Sequence, residues 1–261
     1  MGVPFVPVRV DLNGDVGETV SGGTRGPDLA LIPSITSANI ACGFHAGDPG
    51  VMRATVELAR EHGVAVGAHP GFPDPEGFGR RELHFSPDDV EDFVAYQVGS
   101  LAAIAATLGV RLQHVKPHGA LFNMAVRDRS LADAIARAAA VIDRTLILFG
   151  LSGSEILAAG RRAGLRTAGE GFADRAYQSD GTLVPRQRPG AVIHDRDAVV
   201  DRAVRMVREH AVEAIDGRVV PLVVDTICVH SDTPGAADLA AGLRAALTAA
   251  GVEVKAIGQI S

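Results

Sequence analysis

Short apolar runs alternate with longer segments of helical periodicity along nearly the whole sequence. The runs are apolar at consecutive positions, which is typical of strands buried on both faces of a parallel sheet. We predict strands at Val8–Leu12, Ile35–Ala41, Val64–Ala68, Leu112–Val115, Leu146–Phe149, Leu165–Thr167 and Leu222–Val229, with Val252–Ile257 as a candidate eighth. We predict helices at Val51–His62, Pro87–Leu108, Leu131–Ile142, Ser154–Ala163, Ala198–Ile215 and Ala236–Ala250. This alternation predicts parallel strands covered by helices, either as a closed barrel or as an open doubly wound sheet.

The composition is that of one well-filled α/β domain. Hydrophobic residues make up 47% of the chain and charged residues 21%, which excludes a disordered protein. No linker and no change in composition divides the sequence, and an α/β barrel needs about 250 residues. We therefore predict a single domain over residues 1–261.

Charge and hydropathy exclude several classes of partner. The net charge of −6 argues against a nucleic-acid partner, whose phosphates need a basic face. No apolar stretch approaches the roughly 20 residues of a membrane span, so we expect no membrane partner. The two cysteines, Cys42 and Cys228, lack the spacing of a zinc knuckle, and we interpret them as reduced, buried thiols. These features together predict a cytoplasmic location.

Polar side chains concentrate directly after the predicted strands. Asp11, Asp15 and Glu18 follow the first strand, and four of the nine histidines follow later ones, namely His45, His69, His118 and His230. Because the carboxyl ends of parallel strands meet at one edge, we expect these side chains to converge around one cleft. We expect the remaining histidines to lie on the surface, namely His62, His84, His114, His194 and His210.

Lys116 is unusual in this arginine-rich chain. It and Lys255 are the only lysines among 25 basic residues. Lys116 ends a predicted strand beside Pro117 and His118, and its compact ammonium can be buried more readily than a guanidinium can. We infer that an ammonium group is required at this position.

Two long loops carry further charged residues. The segment 71–81 contains Arg80, and the segment 170–192 contains Asp174 and Arg175. Loops of this length are often lids or binding loops, and their basic residues suit an anionic substrate. The sequence has no GxxxxGK[ST] loop for ATP, no GxGxxG after its first strand and no GxSxG elbow.

Six stretches of the sequence resemble the LamB/YcsF family, in the order and spacing of that family. They are Asp11–Glu18, Ser37–Pro49, Gly67–Arg80, His114–Asn123, Glu170–Pro185 and Thr226–Pro234. Gly14 and Ser231 depart from the family pattern, which usually has alanine and glycine at these positions. The resemblance implies a seven-stranded (β/α) barrel of the glycoside hydrolase/deacetylase type. It also implies a 5-oxoprolinase activity: the ATP-dependent opening of 5-oxo-L-proline to L-glutamate with partner subunits B and C, in which ATP is a co-substrate whose site the partners could share.

The residues suggest general acid–base hydrolysis at the barrel mouth. Either Asp11 or Glu18 would orient or deprotonate water. One of three histidines would carry the proton to the leaving nitrogen, and the candidates are His45, His69 and His118. Lys116 would neutralise developing negative charge. We assign seven further residues to substrate binding, namely Asn13, Asp15, Asn39, Arg80, Asp174, Arg175 and His230.

Two other functions remain open from the residues alone. A metal-dependent deacetylase or amidohydrolase acting alone would also use carboxylate and imidazole groups at strand ends. If a divalent metal is bound, we expect its ligands to come from Asp11, His45, His69 and His118. The second alternative is a regulatory component of a complex, without catalysis of its own.

Overall fold

The computed structural model describes residues 8–19, 26–230 and 235–259. Its strands are β1 (Arg9–Val16), β2 (Ser37–Ala41), β3 (Ala65–His69), β4 (His114–Val115), β5 (Ile147–Leu151), β6 (Arg166–Gly171), β7 (Ala211–Glu213), β8 (Val219–Pro221), β9 (Thr226–His230) and β10 (Glu253–Val254). Its α-helices are α1 (Gly26–Leu31), α2 (Pro49–Glu61), α3 (Pro87–Thr107), α4 (Gly119–Ala125), α5 (Arg129–Ile142), α6 (Glu155–Arg162), α7 (Arg196–Glu209) and α8 (Ala236–Ala249).

Seven parallel strands close into a barrel. Strands β1 to β6 pair in sequence order, and β9 pairs with both β6 and β1. Thr226 of β9 lies opposite Glu170 on one side and Asp11 on the other. The structure therefore confirms the seven-stranded (β/α) barrel and excludes the open doubly wound sheet. None of the helices in the described part of the chain combines the length and apolar character needed to cross a bilayer.

Local sequence signals explain where the helices begin. Ser86 precedes Pro87 at the start of α3, and its hydroxyl accepts a hydrogen bond from the Asp89 backbone N–H at 3.1 Å. The Asp89 carboxylate accepts the Ser86 N–H in return, which completes a capping box. Asp48 caps α2, whose first residue is also a proline. The predicted starts of these helices are confirmed to within two residues.

Three predicted boundaries are wrong. Strand β1 continues to Val16 instead of ending at Leu12, because its second half alternates buried polar and apolar residues and carries no continuous apolar run. Helix α7 ends at Glu209, where His210 takes a left-handed conformation with φ of 52° and the chain enters the β7–β8 hairpin. The candidate eighth strand is reduced to β10, which pairs with the beginning of β1 and lies outside the closed ring.

The barrel interior has a polar side and an apolar side. Alternate residues of β1 point inward, so Asp11, Asn13 and Asp15 line the interior while Leu12 and Val16 join the apolar layer beneath the helices. Across the barrel, a separate apolar cluster fills the other side of the interior, formed by Ile147, Phe149, Ala168 and Ile257. The interior thus holds polar groups away from water beside an apolar wall.

Candidate active site

Four side chains meet at the carboxyl end of the barrel and are called here the histidine cluster: Glu18, His45, His69 and His118. Glu18 Oε1 lies 3.3 Å from His45 Nε2, 3.2 Å from His118 Nδ1 and 3.8 Å from His69 Nε2. His69 Nε2 and His118 Nδ1 are 3.0 Å apart. The rings of His45 and His118 stack in parallel, and His69 stands perpendicular to both.

Backbone carbonyls fix the tautomers of two of these histidines. His69 Nδ1 lies 2.7 Å from the Lys116 carbonyl oxygen, and His118 Nε2 lies 2.8 Å from the Phe78 carbonyl oxygen. A carbonyl oxygen only accepts hydrogen bonds, so His69 Nδ1 and His118 Nε2 must donate. In the neutral rings, the lone pairs of His69 Nε2 and His118 Nδ1 therefore face into the cluster.

Burial keeps the cluster poor in protons. Desolvation lowers the pKa of His45 to about 3, although a hydrogen bond to Glu18 opposes this shift. Desolvation also lowers the pKa of His118. For Glu18, burial alone would raise the pKa, but hydrogen bonds from His118 and His45 hold it well below its usual range. The cluster thus pairs an ionised carboxylate with imidazoles that resist protonation, as a site that accepts protons requires.

A second group lies one step deeper and is called here the lysine cluster: Lys116, Asp15, Glu170 and Cys228. Lys116 Nζ lies 2.7 Å from Asp15 Oδ1, 3.0 Å from Glu170 Oε1 and 2.9 Å from Cys228 Sγ. Burial opposes the charge of Lys116, but the neighbouring carboxylates of Asp15 and Glu170 outweigh it and raise its pKa well above the usual range. Burial raises the pKa of the Cys228 thiol, which therefore remains protonated and is no nucleophile.

Asparagine side chains connect the lysine cluster to the lower interior. Asn39 Nδ2 donates to Asn13 Oδ1 and to Asp15 Oδ1, each at 2.7 Å. Asn13 Nδ2 donates to Glu170 Oε1 at 3.0 Å and to Thr226 Oγ1 at 2.7 Å. Both asparagines are thus part of the buried hydrogen-bond network below the mouth.

Asp11 does not reach the histidine cluster, against the expectation from the sequence. It precedes Asp15 by four residues of β1, which is about 13 Å along a strand. Its carboxylate accepts hydrogen bonds from the hydroxyls of Thr36, Ser37 and Thr226. Glu18 occupies the place in the cluster that was expected for Asp11.

The expectation that His114 lies on the surface is wrong. His114 forms part of β4 and is fully buried. Its Nε2 lies 2.8 Å from Asn39 Oδ1, and its ring stacks on Phe149 with centroids 4.3 Å apart. A Cβ at Gly67 of the neighbouring strand would overlap this ring, so Gly67 provides the room for it. That glycine in a predicted buried strand was the available signal.

Glu170 is a further residue that sequence reasoning missed. It was interpreted as the beginning of a loop, because the predicted strand ended at Thr167. Strand β6 continues to Gly171, and Glu170 is fully buried at an inward position. A strand extended by alternation would have placed this carboxylate in the interior.

A cavity of about 360 Å³ opens beside both clusters. Asp15, His69, Lys116 and His118 form its floor, while Phe122 and Phe172 contribute apolar surface. Its walls carry four arginines, namely Arg80, Arg127, Arg175 and Arg186. Glu82 and Asp15 are the acidic side chains among its described lining residues.

Arg175 is built into the cavity wall. It is buried and donates hydrogen bonds to the backbone carbonyls of Val184 at 2.7 Å and Ala191 at 3.3 Å. Burial, together with the nearby charge of Arg186, lowers its pKa to about 10. A guanidinium held among other cations in a partly desolvated wall is suited to an anionic ligand.

The remaining predicted binding residues are placed differently. Arg80 is exposed on the cavity wall, where its guanidinium lies 5.0 Å from the centroid of the Phe78 ring. Asp174 is buried, and neither it nor Asn13 nor Asn39 is among the described lining residues. His230 ends β9, opposite Asp15, but its side chain lies outside the described residues.

The histidine cluster also fits a metal ion by its donor types. Its four candidate ligand atoms all lie within 4.8 Å of one another. Imidazole nitrogen and carboxylate oxygen are the ordinary ligands of Zn²⁺ and similar ions. The arrangement therefore supports proton transfer to or from a bound substrate, with or without an ion.

Comparisons with known proteins agree on one family. The model of the LamB/YcsF family matches residues 10–261. A protein of Tolumonas auensis, named as the A subunit of 5-oxoprolinase, is 53% identical over 249 residues, covering 95% of this chain and 99% of its own length. A protein of the same name from Bacillus subtilis is 53% identical over 251 residues, covering 96% of this chain and 98% of its own length.

A solved structure gives the same result in three dimensions. The lactam utilization protein of Thermus thermophilus is 49% identical to this chain and superposes with a TM-score of 0.90. The match covers 95% of this chain and 100% of that one. Nearly full-length agreement in sequence and in fold identifies the group, and this chain belongs to the LamB/YcsF family.

Proposed function

We propose that this chain is the hydrolytic component of a 5-oxoprolinase, its A subunit, which opens the lactam ring of 5-oxo-L-proline to give L-glutamate. The observation that carries the proposal is the cavity in which arginines face the histidine cluster. The names of the half-identical relatives narrow its substrate to this lactam. The reaction is coupled to ATP hydrolysis and is performed together with partner subunits B and C.

The cavity suits a small anion. Its volume of about 360 Å³ is near the lower end of the usual range for ligand pockets. 5-Oxo-L-proline has one carboxylate and one lactam carbonyl on a compact ring. Arg175 and Arg80 bind the carboxylate, since guanidinium groups match its geometry. Phe172 and Phe122 cover the methylene carbons of the ring.

Proton transfer takes place at the floor of the cavity. Water adds its oxygen to the lactam carbonyl carbon and loses a proton to an imidazole of the cluster, either His69 at Nε2 or His118 at Nδ1. The ring C–N bond then breaks, and the leaving nitrogen takes that proton. Glu18 stabilises the imidazolium formed between the two steps, because its carboxylate lies within 3.8 Å of both nitrogens.

Lys116 keeps a positive charge below the reacting carbonyl. Its ammonium is held by Asp15 and Glu170, so it orients Asp15 beside His69, whose Nε2 lies 3.4 Å from Asp15 Oδ2. A fixed charge at this depth favours the developing oxyanion without reorganisation during the reaction.

ATP makes the lactam carbonyl more reactive. Transfer of the γ-phosphoryl group to the lactam oxygen leaves the carbonyl carbon more electrophilic, and phosphate departs after water has added. The sequence has no P-loop. We therefore place at least part of the nucleotide site on the partner subunits. The cytoplasmic location and the single domain inferred from the sequence stay predictions.

The comparisons do not favour the alternatives. The relatives described above are named as one component of a larger enzyme, which argues against a deacetylase or amidohydrolase that acts alone. A regulatory role without catalysis would leave the buried carboxylate and its imidazoles without a purpose. A metal ion in the cluster is compatible with the proposed hydrolysis.

Glutamate formation is the test. The chain, both partners, ATP and 5-oxo-L-proline are combined, and glutamate and phosphate are measured. We expect one glutamate per ATP hydrolysed by the full mixture and none by the chain alone. Glutamate formation by the two partners without this chain, at the same rate, would overturn the proposal. The exposed variant His62→Ala is the matched control and should behave as the parent.

A further inference from the structure

The histidine cluster contains more hydrogen-bond acceptors than protons. Both His69 Nε2 and His118 Nδ1 point lone pairs into the cluster, because their other ring nitrogens donate to backbone carbonyls. The two nitrogens are only 3.0 Å apart, and Glu18 Oε1 lies 3.2 Å from His118 Nδ1. Three electron-rich atoms at this separation repel one another unless a cation lies among them.

We infer that Glu18, His69 and His118 bind one divalent transition-metal ion of the Zn²⁺ class, and that His45 positions Glu18. The inference concerns the ion alone and does not depend on the substrate proposed above.

The distances fit such an ion. Ligand atoms about 2.1 Å from a tetrahedral Zn²⁺ lie about 3.4 Å from one another. The three separations here are 3.0, 3.2 and 3.8 Å. Two histidines and one carboxylate are also a common ligand set of catalytic zinc, which keeps a fourth position open.

The outer contacts fit as well. Metal-binding histidines usually donate their second ring N–H to a carbonyl or carboxylate, which fixes the tautomer. His69 donates to the Lys116 carbonyl and His118 to the Phe78 carbonyl. Both rings are therefore held in the orientation and tautomer that an ion requires.

Ring geometry excludes His45 as a ligand of the same ion. An imidazole binds a metal in its own ring plane. The planes of His45 and His118 are parallel to within 2° with centroids 3.8 Å apart, so no point lies in both. His69 is inclined at 89° to His118, so these two planes do intersect. His45 Nε2, 3.3 Å from Glu18 Oε1, instead donates to this carboxylate and holds it.

The ion would be accessible to a substrate. His69 and His118 line the cavity, whereas Glu18 and His45 are not among its described lining residues. An ion held from behind by Glu18 therefore faces the arginine-lined space. There it would act as a Lewis acid on a bound carbonyl.

Metal titration tests the inference on the full chain. The purified chain is stripped with chelator, dialysed, and titrated with Zn²⁺ by calorimetry and with Co²⁺ by visible absorption. We expect one equivalent of each ion to bind, with Co²⁺ giving the spectrum of a four- or five-coordinate site. His69→Ala and His118→Ala should each weaken binding at least 100-fold.

Matched variants separate ligands from neighbours. Glu18→Gln keeps the shape of the side chain and should weaken binding at least 10-fold. His45→Ala should retain one equivalent with about 10- to 100-fold weaker binding, as for a residue that orients a metal ligand. His62→Ala, an exposed histidine, should bind as the parent does. Circular dichroism identifies any variant that fails to fold, and Glu18→Gln then decides.

Two results would overturn the inference: no binding by the parent chain, or equal binding by the parent and by Glu18→Gln, His69→Ala and His118→Ala. Failure of the proposed function is a different outcome. A chain that binds the ion but supports no glutamate formation contradicts the function alone. A complex that turns over with a stripped chain that binds no ion contradicts the metal alone.

Discussion

The histidine cluster and the lysine cluster occupy neighbouring layers of one barrel, yet their charges are balanced differently. In the lysine cluster, one ammonium is held by two carboxylates, and most polar atoms are paired. In the histidine cluster, one carboxylate faces imidazole lone pairs that have no proton to share. Both clusters are buried, so burial alone does not identify the reactive one. The difference indicates that the balanced cluster holds the barrel together and the unbalanced one is kept for a ligand or a reaction.

The largest expected effect is on activity, at the histidine cluster. His118→Ala should lower glutamate formation by the assembled complex about 10²- to 10⁴-fold, the usual contribution of an acid–base group. Loss of packing should be offset in part by relief of repulsion with His69, so the free energy of unfolding should fall less than for Lys116 variants. The measurement is steady-state turnover with urea unfolding of the same preparation. Turnover within tenfold of the parent would remove the distinction between the clusters.

The next effect is on stability, at the lysine cluster. Lys116→Met leaves Asp15 and Glu170 buried without their cation, and breaking a buried ion pair in this way costs about 3–5 kcal/mol. Urea unfolding of the isolated chain measures this loss. Lys255→Met is the matched control, because Lys255 lies 3.9 Å from Glu253 with 35% of its side chain exposed. That control should change the free energy of unfolding by less than about 1 kcal/mol.

A second substitution sharpens this prediction. Adding Glu170→Gln to Lys116→Met removes one of the stranded charges, so part of the lost stability should return. If the double variant is less stable than Lys116→Met, the carboxylates are not the source of the loss.

A third prediction concerns Asp11, a buried carboxylate with no cation among its described hydrogen-bond partners. Burial raises its pKa to about 6 in spite of three hydrogen bonds from hydroxyl groups. The folded protein therefore binds a proton that the unfolded chain releases near pH 4. The stability that this proton provides is complete below about pH 4 and is lost as the pH rises through 6.

Asp11→Asn should abolish that pH dependence. Between pH 5 and pH 7.5 the parent should lose about 1.4 kcal/mol relative to the variant, which corresponds to one pH unit below the folded pKa. Chemical unfolding of both proteins at the two pH values gives the difference, and all other titrating groups cancel. Parallel pH profiles for the two proteins would contradict the assignment.

The smallest expected effect is on the cavity wall. Arg80 is exposed, so Arg80→Gln should raise KM for 5-oxo-L-proline about three- to tenfold and leave kcat nearly unchanged, as for a contact made equally with substrate and transition state. Arg137→Gln, on the exposed face where Arg137 pairs with Glu91 at 2.7 Å, should change neither constant. A fall in kcat for Arg80→Gln would move this residue from binding to catalysis.

The sequence predicts the fold better than the depth of its polar residues. Apolar runs and helix caps are local signals, so the strand order and the convergence of His45, His69 and His118 follow from them. Polar residues inside the barrel break those runs, and two strands were therefore cut short. As a result Asp11 was placed at the mouth and Glu170 in a loop. His114 was missed for a related reason, since its burial depends on Gly67 in another strand.

Lys116 contributes to the two clusters through different parts of one residue. Its ammonium belongs to the lysine cluster, whereas its carbonyl oxygen accepts the proton of His69 Nδ1. A substitution at this position can remove the first contribution but not the second. The tautomer of His69 is thus set by the course of the main chain and survives exchange of the Lys116 side chain. Over evolutionary time, the deeper layer of this barrel is open to replacement, while the chemical state of the upper layer is inherited with the fold.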